Sequence, residues 1–307
     1  QIVELGDARS VLKNPQDAYT QALIAAIPSN AVPPHRDIGQ VAPLLEIKRL
    51  QKVFRSRGGW FKPAREVHAL NDVSLTLARG ETVGIVGESG SGKSTLGRCV
   101  VRLEHPDSGE LLLDGVNLSQ LKGDALRRER HRVQMIFQDP YASLNPRTKV
   151  GMAIAQGPIA NGTPKAAALK QAGELLDMVG LGASAVERYP HEFSGGQRQR
   201  IGIARALALN PELIVADEAA SALDVSIQAQ VLELLEELKQ RLSLSLLFIT
   251  HDLRVAAHIC DRIVVMQHGR IVEQGSAEQI FLAPREAYTQ ALLKAIPGRE
   301  APVAATA

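Results

Sequence analysis

The sequence predicts an α/β fold with a largely parallel sheet, and three observations lead to this prediction. From Leu44 to about Gly275, short apolar runs typical of strands alternate with longer stretches of helical periodicity. A glycine-rich segment directly follows one of these strands and directly precedes a helix. Hydrophobic residues make up 45% of the 307 residues and charged residues 22%, which is typical of a globular protein.

The clearest predicted elements are four strands and four helices. The strands lie at 82–86, 133–137, 212–216 and 246–250, and the helices lie around 93–103, 165–179, 196–209 and 225–241. The region 148–209 has helical patterns with few strand signals, so we predict a helical insertion between strands.

Charge and cysteine content exclude several classes of protein. The formal net charge is +2, so no strong field attracts nucleic acid, and we expect no nucleic-acid partner. Two cysteines, Cys99 and Cys260, cannot build a disulfide framework or a four-ligand metal site, and they fit a reducing compartment. No apolar run approaches the roughly 20 residues that span a bilayer. We therefore expect an intracellular protein whose membrane role requires membrane-embedded partners.

One segment occurs twice. Residues 1–28 and 270–297 align without a gap at an offset of 269, and 15 of the 28 positions are identical, including the run AYTQAL. Both copies also share a strand-like start, a glycine, a proline and the closing AIP. Two amphipathic helices that are similar only in their apolar pattern would not share these features. Residues 29–43 are polar and contain prolines, which indicates a linker.

The glycine-rich segment Gly87–Ser94 reads GESGSGKS and matches the phosphate-loop pattern G-x-x-x-x-G-K-[ST]. Glycines let successive backbone N–H groups face inward, and the following helix N-terminus favours an anion. Lys93 adds a positive charge for the β- and γ-phosphates, and Ser94 offers Mg²⁺ a hydroxyl. The predicted nucleotide contacts in this segment and directly after it are Gly87, Ser89, Gly90, Gly92, Lys93, Ser94 and Thr95.

Two carboxylates end the apolar strand that follows about 125 residues later. Asp217 and Glu218 directly follow LIVA, so a buried strand delivers them to the sheet edge where the phosphate loop opens. We predict that Asp217 holds Mg²⁺, directly or through water, and that Glu218 polarises the attacking water.

A second anion-binding pattern precedes another helix. Ser194-Gly195-Gly196-Gln197 leaves free N–H groups at a helix start. Because one nucleotide needs only one phosphate loop, this segment indicates a site completed by another copy of the domain.

These motifs, with FQDP, SALD and ITHD, occur in the order typical of ATP-binding-cassette (ABC) ATPases, and the chain resembles that family from Leu44 to about Ala295. The resemblance implies a P-loop NTPase fold with a RecA-like core, an antiparallel β subdomain and a helical subdomain at about 139–209. It implies an ATPase domain at 44–283, a C-terminal tail at 284–307, and ATP and Mg²⁺ as ligands.

The resemblance also implies roles for further residues. Gln138 would contact Mg²⁺ and sense the membrane partner, Asp224 at the end of SALD would contact nucleotide at the dimer seam, and His251 would contact the γ-phosphate. An aromatic residue should stack on adenine; Phe54 is our choice, and Trp60 and Phe61 compete with it. Ala219 departs from the proline that is usual there, which should alter loop stiffness without removing chemistry.

The segments FQDPYASLNPR and YPHEFSGGQRQRIGIARAL resemble the oligopeptide/dipeptide importer subfamily, which also serves glutathione and nickel uptake. This implies a head-to-tail second cassette, two membrane-embedded permease subunits and, indirectly, an extracytoplasmic solute-binding protein. The implied location is the cytoplasmic face of the bacterial inner membrane.

Two alternative functions stay open at this point. One is a soluble tandem ABC protein that acts on ribosomes, although the linker at 29–43 is short for that class. The other is a regulatory cassette that binds ATP without hydrolysis, although Glu218 and His251 argue against it. Because residues 1–28 match the end of the predicted domain, we hypothesise that they are the tail of a preceding cassette in a longer two-cassette polypeptide.

Overall fold

The computed structural model describes residues 2–25, 41–56, 65–221 and 223–296. Most of the predicted linker at 29–43 lies outside these ranges, and so do Trp60 and Phe61. The helices are α1 (Ala8–Lys13), α2 (Ala18–Ala25), α3 (Lys93–Val100), α4 (Gly123–Arg130), α5 (Val150–Ala160), α6 (Lys165–Met178), α7 (Gly195–Leu207), α8 (Val225–Leu242), α9 (Leu253–Ile259), α10 (Ala277–Leu282) and α11 (Ala287–Lys294). The strands are β1 (Pro43–Ser56), β2 (Arg65–Ala78), β3 (Thr82–Val86), β4 (Ser108–Leu113), β5 (Val116–Asn117), β6 (Val133–Ile136), β7 (Leu213–Asp217), β8 (Ser245–Ile249), β9 (Arg262–Gln267) and β10 (Arg270–Ser276).

Two sheets divide the strands. The first is antiparallel, in the order β2-β1-β4-β5, and the second has the order β10-β9-β3-β8-β7-β6. In the second sheet β9, β3, β8, β7 and β6 are parallel, and β10 pairs antiparallel with β9. The prediction of an α/β fold with a largely parallel sheet is confirmed. The carboxyl ends of β3, β7 and β8 therefore meet at one edge, as ligand sites in such sheets require.

Two apolar clusters hold these layers together. One joins β1, β2 and β4 to α3 and one face of the parallel sheet, with Leu45, Ile85 and Leu96 fully buried. The other joins the opposite face to α5, α6 and α7, with Ile154 and Ile201 among its members. Strands buried on both faces need continuous apolar runs, which explains why β3, β7 and β8 are buried along their whole lengths.

The predicted strands and helices are confirmed, with most boundaries within one or two residues. The largest difference is at α3, which ends at Val100 and not near residue 103. Arg102 adopts a φ of 58°, in the left-handed region that interrupts a helix. Between residues 148 and 209 the described elements are α5, α6, α7 and two short 3₁₀ helices, so the predicted helical insertion is present.

The repeated segment has the same local fold in both copies. The bounds of α1 and α2 correspond to those of α10 and α11 at the same offset of 269. Glu4 accepts hydrogen bonds from the backbone N–H groups of residues 16 and 17, just as Glu273 does from residues 285 and 286. The copies differ at their starts: residues 270–276 form β10 because β9 supplies a partner, whereas residues 2–7 form no strand before α1 begins.

Within the described ranges, every helix is too short or too polar to cross a bilayer.

Candidate nucleotide-hydrolysis site

The phosphate loop connects β3 to α3 at the carboxyl edge of the parallel sheet. Gly92, the last residue before α3, has a φ of 103°, and a Cβ atom there would press into the carbonyl oxygen of Ala69. Only glycine combines a favourable positive φ with the absence of a Cβ atom. Because α3 begins at Lys93, its free N–H groups point into the loop and favour an anion there.

The side chain of Lys93 lies inside this loop. Its ammonium donates hydrogen bonds to the carbonyl oxygens of Gly87 at 2.7 Å and Glu88 at 2.8 Å. Burial lowers the pKa of Lys93, and the nearby carboxylates of Glu218 and Asp217 oppose that shift. The loop is therefore closed around a cation that uses two of its three N–H donors on these carbonyls.

Ser94 and Asp217 meet across the loop. The Ser94 hydroxyl donates to Oδ1 of Asp217 at 2.9 Å, and Asp217 stands buried at the end of β7. Burial raises the pKa of Asp217, and the Ser94 hydrogen bond opposes this shift. A hydroxyl and a carboxylate side by side are hard oxygen ligands of the kind that Mg²⁺ prefers, so this donor set fits the predicted metal.

Glu218 is the meeting point of several predicted residues. Its Oε2 atom accepts hydrogen bonds from Gln138 Nε2 at 2.8 Å and from the Ser221 hydroxyl at 3.2 Å. Nδ1 of His251 lies 3.5 Å from the same oxygen. The structure thus brings Gln138, Glu218 and His251 together, although they are far apart in the sequence.

A cavity of about 80 Å³ borders Glu218, and Thr250 and His251 help to line it. One water needs only about 10–15 Å³ measured in this way. The cavity is therefore large enough for a water molecule beside the carboxylate.

The second anion-binding pattern, Ser194–Gln197, lies at the start of α7. Ser194 caps this helix, because its side chain accepts from Gln197 N–H at 3.3 Å while Gln197 Oε1 accepts from Ser194 N–H at 3.0 Å. Gly196 packs so tightly on Ile227 that a Cβ atom there would clash with it. Gly195 lies beside Tyr141, whose hydroxyl would be 3.7 Å from an added Cβ atom.

Asp224 occupies the equivalent place at the start of α8. Its carboxylate accepts from Ile227 N–H at 3.0 Å and from the Ser226 hydroxyl at 2.8 Å, and these bonds lower its pKa. Ser194 and Asp224 are both exposed. Their predicted contacts with nucleotide stay predictions.

Phe54 stands near the end of β1 with 40% of its surface exposed. The Lys52 ammonium lies 5.1 Å from the centre of its ring. An exposed aromatic ring is free to stack on a base, but Trp60 and Phe61 lie outside the described residues. The choice of Phe54 stays a prediction.

Sequence reasoning missed two contacts at the site, that of Ser221 with Glu218 and that of Tyr288 with the phosphate loop. Tyr288, on α11, has a hydroxyl oxygen that accepts a hydrogen bond from the Glu88 backbone N–H at 3.1 Å. It belongs to the AYTQAL run that occurs twice, which is the signal that could have singled it out.

Sequence comparisons identify two matching families. The family described as "ABC transporter" matches residues 70–221. The family described as "Oligopeptide/dipeptide transporter, C-terminal region" matches residues 3–58 and 272–305, so its match includes both copies of the repeat.

Several relatives are similar over most of the chain. The dipeptide transport ATP-binding protein DppF of Escherichia coli is 49% identical over 256 residues, covering 83% of this chain and 77% of that protein. The oligopeptide transport ATP-binding protein AppF of Bacillus subtilis is 50% identical over 260 residues, covering 83% and 78%. The glutathione import ATP-binding protein GsiA of Pectobacterium atrosepticum is 42% identical over 321 residues, covering 96% of this chain but 52% of that protein.

Among solved structures, a dimeric ATP-binding cassette in a post-hydrolysis state, bound to ADP and Pi, is similar to the chain with a TM-score of 0.67. It is 30% identical, and the match covers 76% of this chain and 98% of the other.

Proposed function

Because this chain belongs to the ABC transporter family of ATP-binding proteins, we propose that it powers peptide import by hydrolysing ATP. The observation that carries this proposal is the convergence of Gln138, Ser221 and His251 on one oxygen of Glu218, beside the phosphate loop. Relatives that are 42%, 49% and 50% identical over the aligned residues are named for glutathione, dipeptide and oligopeptide import, which supports a peptide as the solute.

In the proposed reaction, Glu218 accepts the proton of a water that attacks the γ-phosphate. Lys93 binds the β- and γ-phosphates, and His251 contacts the γ-phosphate. Ser94 and Asp217 would hold Mg²⁺ with Gln138 nearby, and the ion would neutralise charge on the phosphates. Catalysis then consists mostly of positioning and charge stabilisation.

We place the second half of the site on another cassette. Ser194, Gly196 and Asp224 are not part of the Lys93–Glu218 cluster in the hydrogen bonds described, and Ser194 and Asp224 are exposed. A head-to-tail partner would bring its Ser194 to this chain's nucleotide. The dimeric, ADP-bound neighbour of similar fold supports this arrangement.

A groove of about 1220 Å³ runs between the parallel sheet and the helical layer, which consists of α5, α6 and α7. Gln138 and Asp217 line it, together with residues of α4 and α5. We propose that a membrane-embedded permease subunit docks here, at the cytoplasmic face of the bacterial inner membrane. Because Gln138 also contacts Glu218, motion in the groove would reach the catalytic carboxylate directly. A solute-binding protein would act on the far side through two permease subunits.

We also propose that residues 1–28 are the tail of a preceding cassette on the same polypeptide. The duplicated helices, the duplicated Glu4 and Glu273 contacts, and the C-terminal-region match at both ends support this. The match to about half of the glutathione import protein is consistent with it. The parent reading frame tests the idea: it should encode a second phosphate loop and SGG motif upstream, and a coding sequence that starts close to residue 1 would refute it.

Transport itself tests the main proposal. The chain, with the permease subunits and binding protein from neighbouring genes, is reconstituted in vesicles, with labelled di- and oligopeptides supplied on the binding-protein side. We expect ATP-dependent peptide uptake that Glu218→Gln abolishes. Uptake that persists without ATP, or ATP hydrolysis that none of the peptides stimulates, would contradict peptide import.

A further inference from the structure

The C-terminal helix α11 is anchored firmly to the domain. Leu293 is buried in the larger apolar cluster, and Tyr288 and Leu292 pack against it. The carboxylate of Glu273, on β10, accepts hydrogen bonds from the backbone N–H groups of residues 285 and 286, at 2.7 and 3.2 Å. These two bonds fix the entry to α11, so the position of Tyr288 is determined by the core and not by a free tail.

Tyr288 reaches the phosphate loop from this anchored position. Its hydroxyl oxygen accepts the Glu88 N–H at 3.1 Å, while the Glu88 carbonyl oxygen accepts from Lys93 at 2.8 Å. Glu88 is itself exposed. The peptide groups on its two sides are thus held by two different elements, one by the C-terminal helix and one by the loop's own lysine.

These two contacts respond differently to nucleotide. The Lys93 ammonium that binds the Glu88 carbonyl also binds phosphate in the proposed site, so nucleotide can compete with this internal restraint of the loop. The Tyr288 contact uses the amide and does not compete with phosphate for Lys93. It is therefore the restraint that can persist when the loop opens.

We propose that Tyr288 is a positioning residue that holds the start of the phosphate loop through Glu88, so that the C-terminal segment sets the affinity for ATP. A preorganised loop spends less free energy on ordering when the nucleotide binds. The inference requires only that nucleotide occupies the phosphate loop, and it does not depend on which solute is imported.

The repeat provides a matched control. Tyr19 has the same place in α2 that Tyr288 has in α11, within the same AYTQAL run, but 59% of its surface is exposed. The substitution Tyr19→Phe therefore makes the same chemical change in the same local structure, whereas the Glu88 N–H donates to Tyr288.

The experiment compares Tyr288→Phe with Tyr19→Phe in the purified chain. Three quantities are measured: the Kd for ATP by titration calorimetry, amide hydrogen exchange of residues 86–92 without nucleotide, and the thermal unfolding midpoint. Tyr288→Phe keeps the ring and removes only the hydroxyl. We expect Kd to rise about two- to tenfold, as for the loss of one neutral hydrogen bond, with faster exchange in the loop and little change in the midpoint.

The outcomes separate the possible explanations. Unchanged Kd and exchange in Tyr288→Phe, or equal changes in Tyr19→Phe, would overturn the proposal. A lowered unfolding midpoint with unchanged Kd would show a merely structural role for Tyr288, and it would also overturn the proposal. Failure of the unmodified chain to bind ATP would instead refute the nucleotide site itself.

Discussion

Glu218 is the residue on which the proposed chemistry depends. Its φ of 46° lies in the left-handed region, which costs a non-glycine residue about 1–2 kcal/mol. The Glu218 N–H donates to the Ile249 carbonyl at 2.9 Å, so the end of β8 helps to hold this backbone. Strained conformations of this kind cluster at active sites, where they aim a side chain. Here the strained backbone turns the carboxylate toward Gln138 and His251.

The substitution Glu218→Gln should keep ATP binding and lower steady-state hydrolysis by about 10²- to 10⁴-fold, because an amide cannot accept a proton from water. Phosphate release measures the rate, and Glu233→Gln, on the exposed face of α8, is the control. Near-normal turnover in Glu218→Gln would remove this residue from its role.

The substitution Lys93→Ala should weaken ATP binding itself. A hydrogen bond to a charged group is worth about 1.5–3 kcal/mol, which corresponds to about a 10- to 100-fold rise in Kd. Calorimetric titration measures the affinity, and Lys170→Ala, at an exposed position on α6, is the control. An unchanged Kd would contradict the phosphate-loop assignment.

At the scale of elements, the sequence predicts buried parallel strands well and antiparallel ones poorly. The runs TVGIV and LIVA are continuous and apolar, since both faces of β3 and β7 are covered. By contrast, β4 has three exposed residues before its buried end, and its pairing with β1 depends on contacts distant in the chain. The phosphate loop is likewise a local motif, whereas the Tyr288 contact joins residues 200 positions apart.

An ion-pair cluster ties three strands together at the opposite edge of the sheet. Glu212, before β7, pairs with Arg132, before β6, and with Arg79, after β2. The hydrogen bond from Arg132 is the main cause that lowers the pKa of Glu212. The ionised Glu212 carboxylate therefore stabilises the folded state above about pH 4.3, the ordinary pKa of glutamate. This contribution is lost as the pH falls through the lower pKa that Glu212 has in the folded state.

Glu212→Gln should accordingly lower the thermal unfolding midpoint by about 2 °C at neutral pH, because partly exposed ion pairs contribute about 1 kcal/mol at most. The difference should vanish in acid. Glu174→Gln, which breaks the more exposed pair with Lys170, is the control and should change little. A difference from the unmodified chain that persists in acid would show that the charge of Glu212 is not its cause.

The start of α7 is the element that should act on a partner. Ser194→Arg places a long cationic side chain there, and we expect hydrolysis to fall by about 10², as when one preorganised donor is lost, while ATP binding to the same chain is unchanged. Ser184→Arg, at an exposed position in the same helical region, is the control. Loss of ATP binding in Ser194→Arg would place residue 194 in the nucleotide site of its own chain. That result would contradict a site shared between two cassettes.

At the scale of the whole molecule, the two halves of the proposed catalytic apparatus belong to different parts of one chain. The phosphate loop, Asp217 and Glu218 lie at the edge of the parallel sheet, and Ser194 caps a helix of the helical layer. A complete site on this account needs two cassettes, and a linker between fused cassettes would raise their effective concentration.

The dependence of ATP hydrolysis on protein concentration tests this claim most directly. The specific activity of the purified chain is measured over a wide dilution series, with the fraction of dimer followed by sedimentation at each concentration. We expect slow hydrolysis whose rate per mole rises in proportion to the dimer fraction and falls toward zero in the monomer. A rate per mole that stays flat throughout, with the sample monomeric at every dilution, would contradict a site shared between two cassettes.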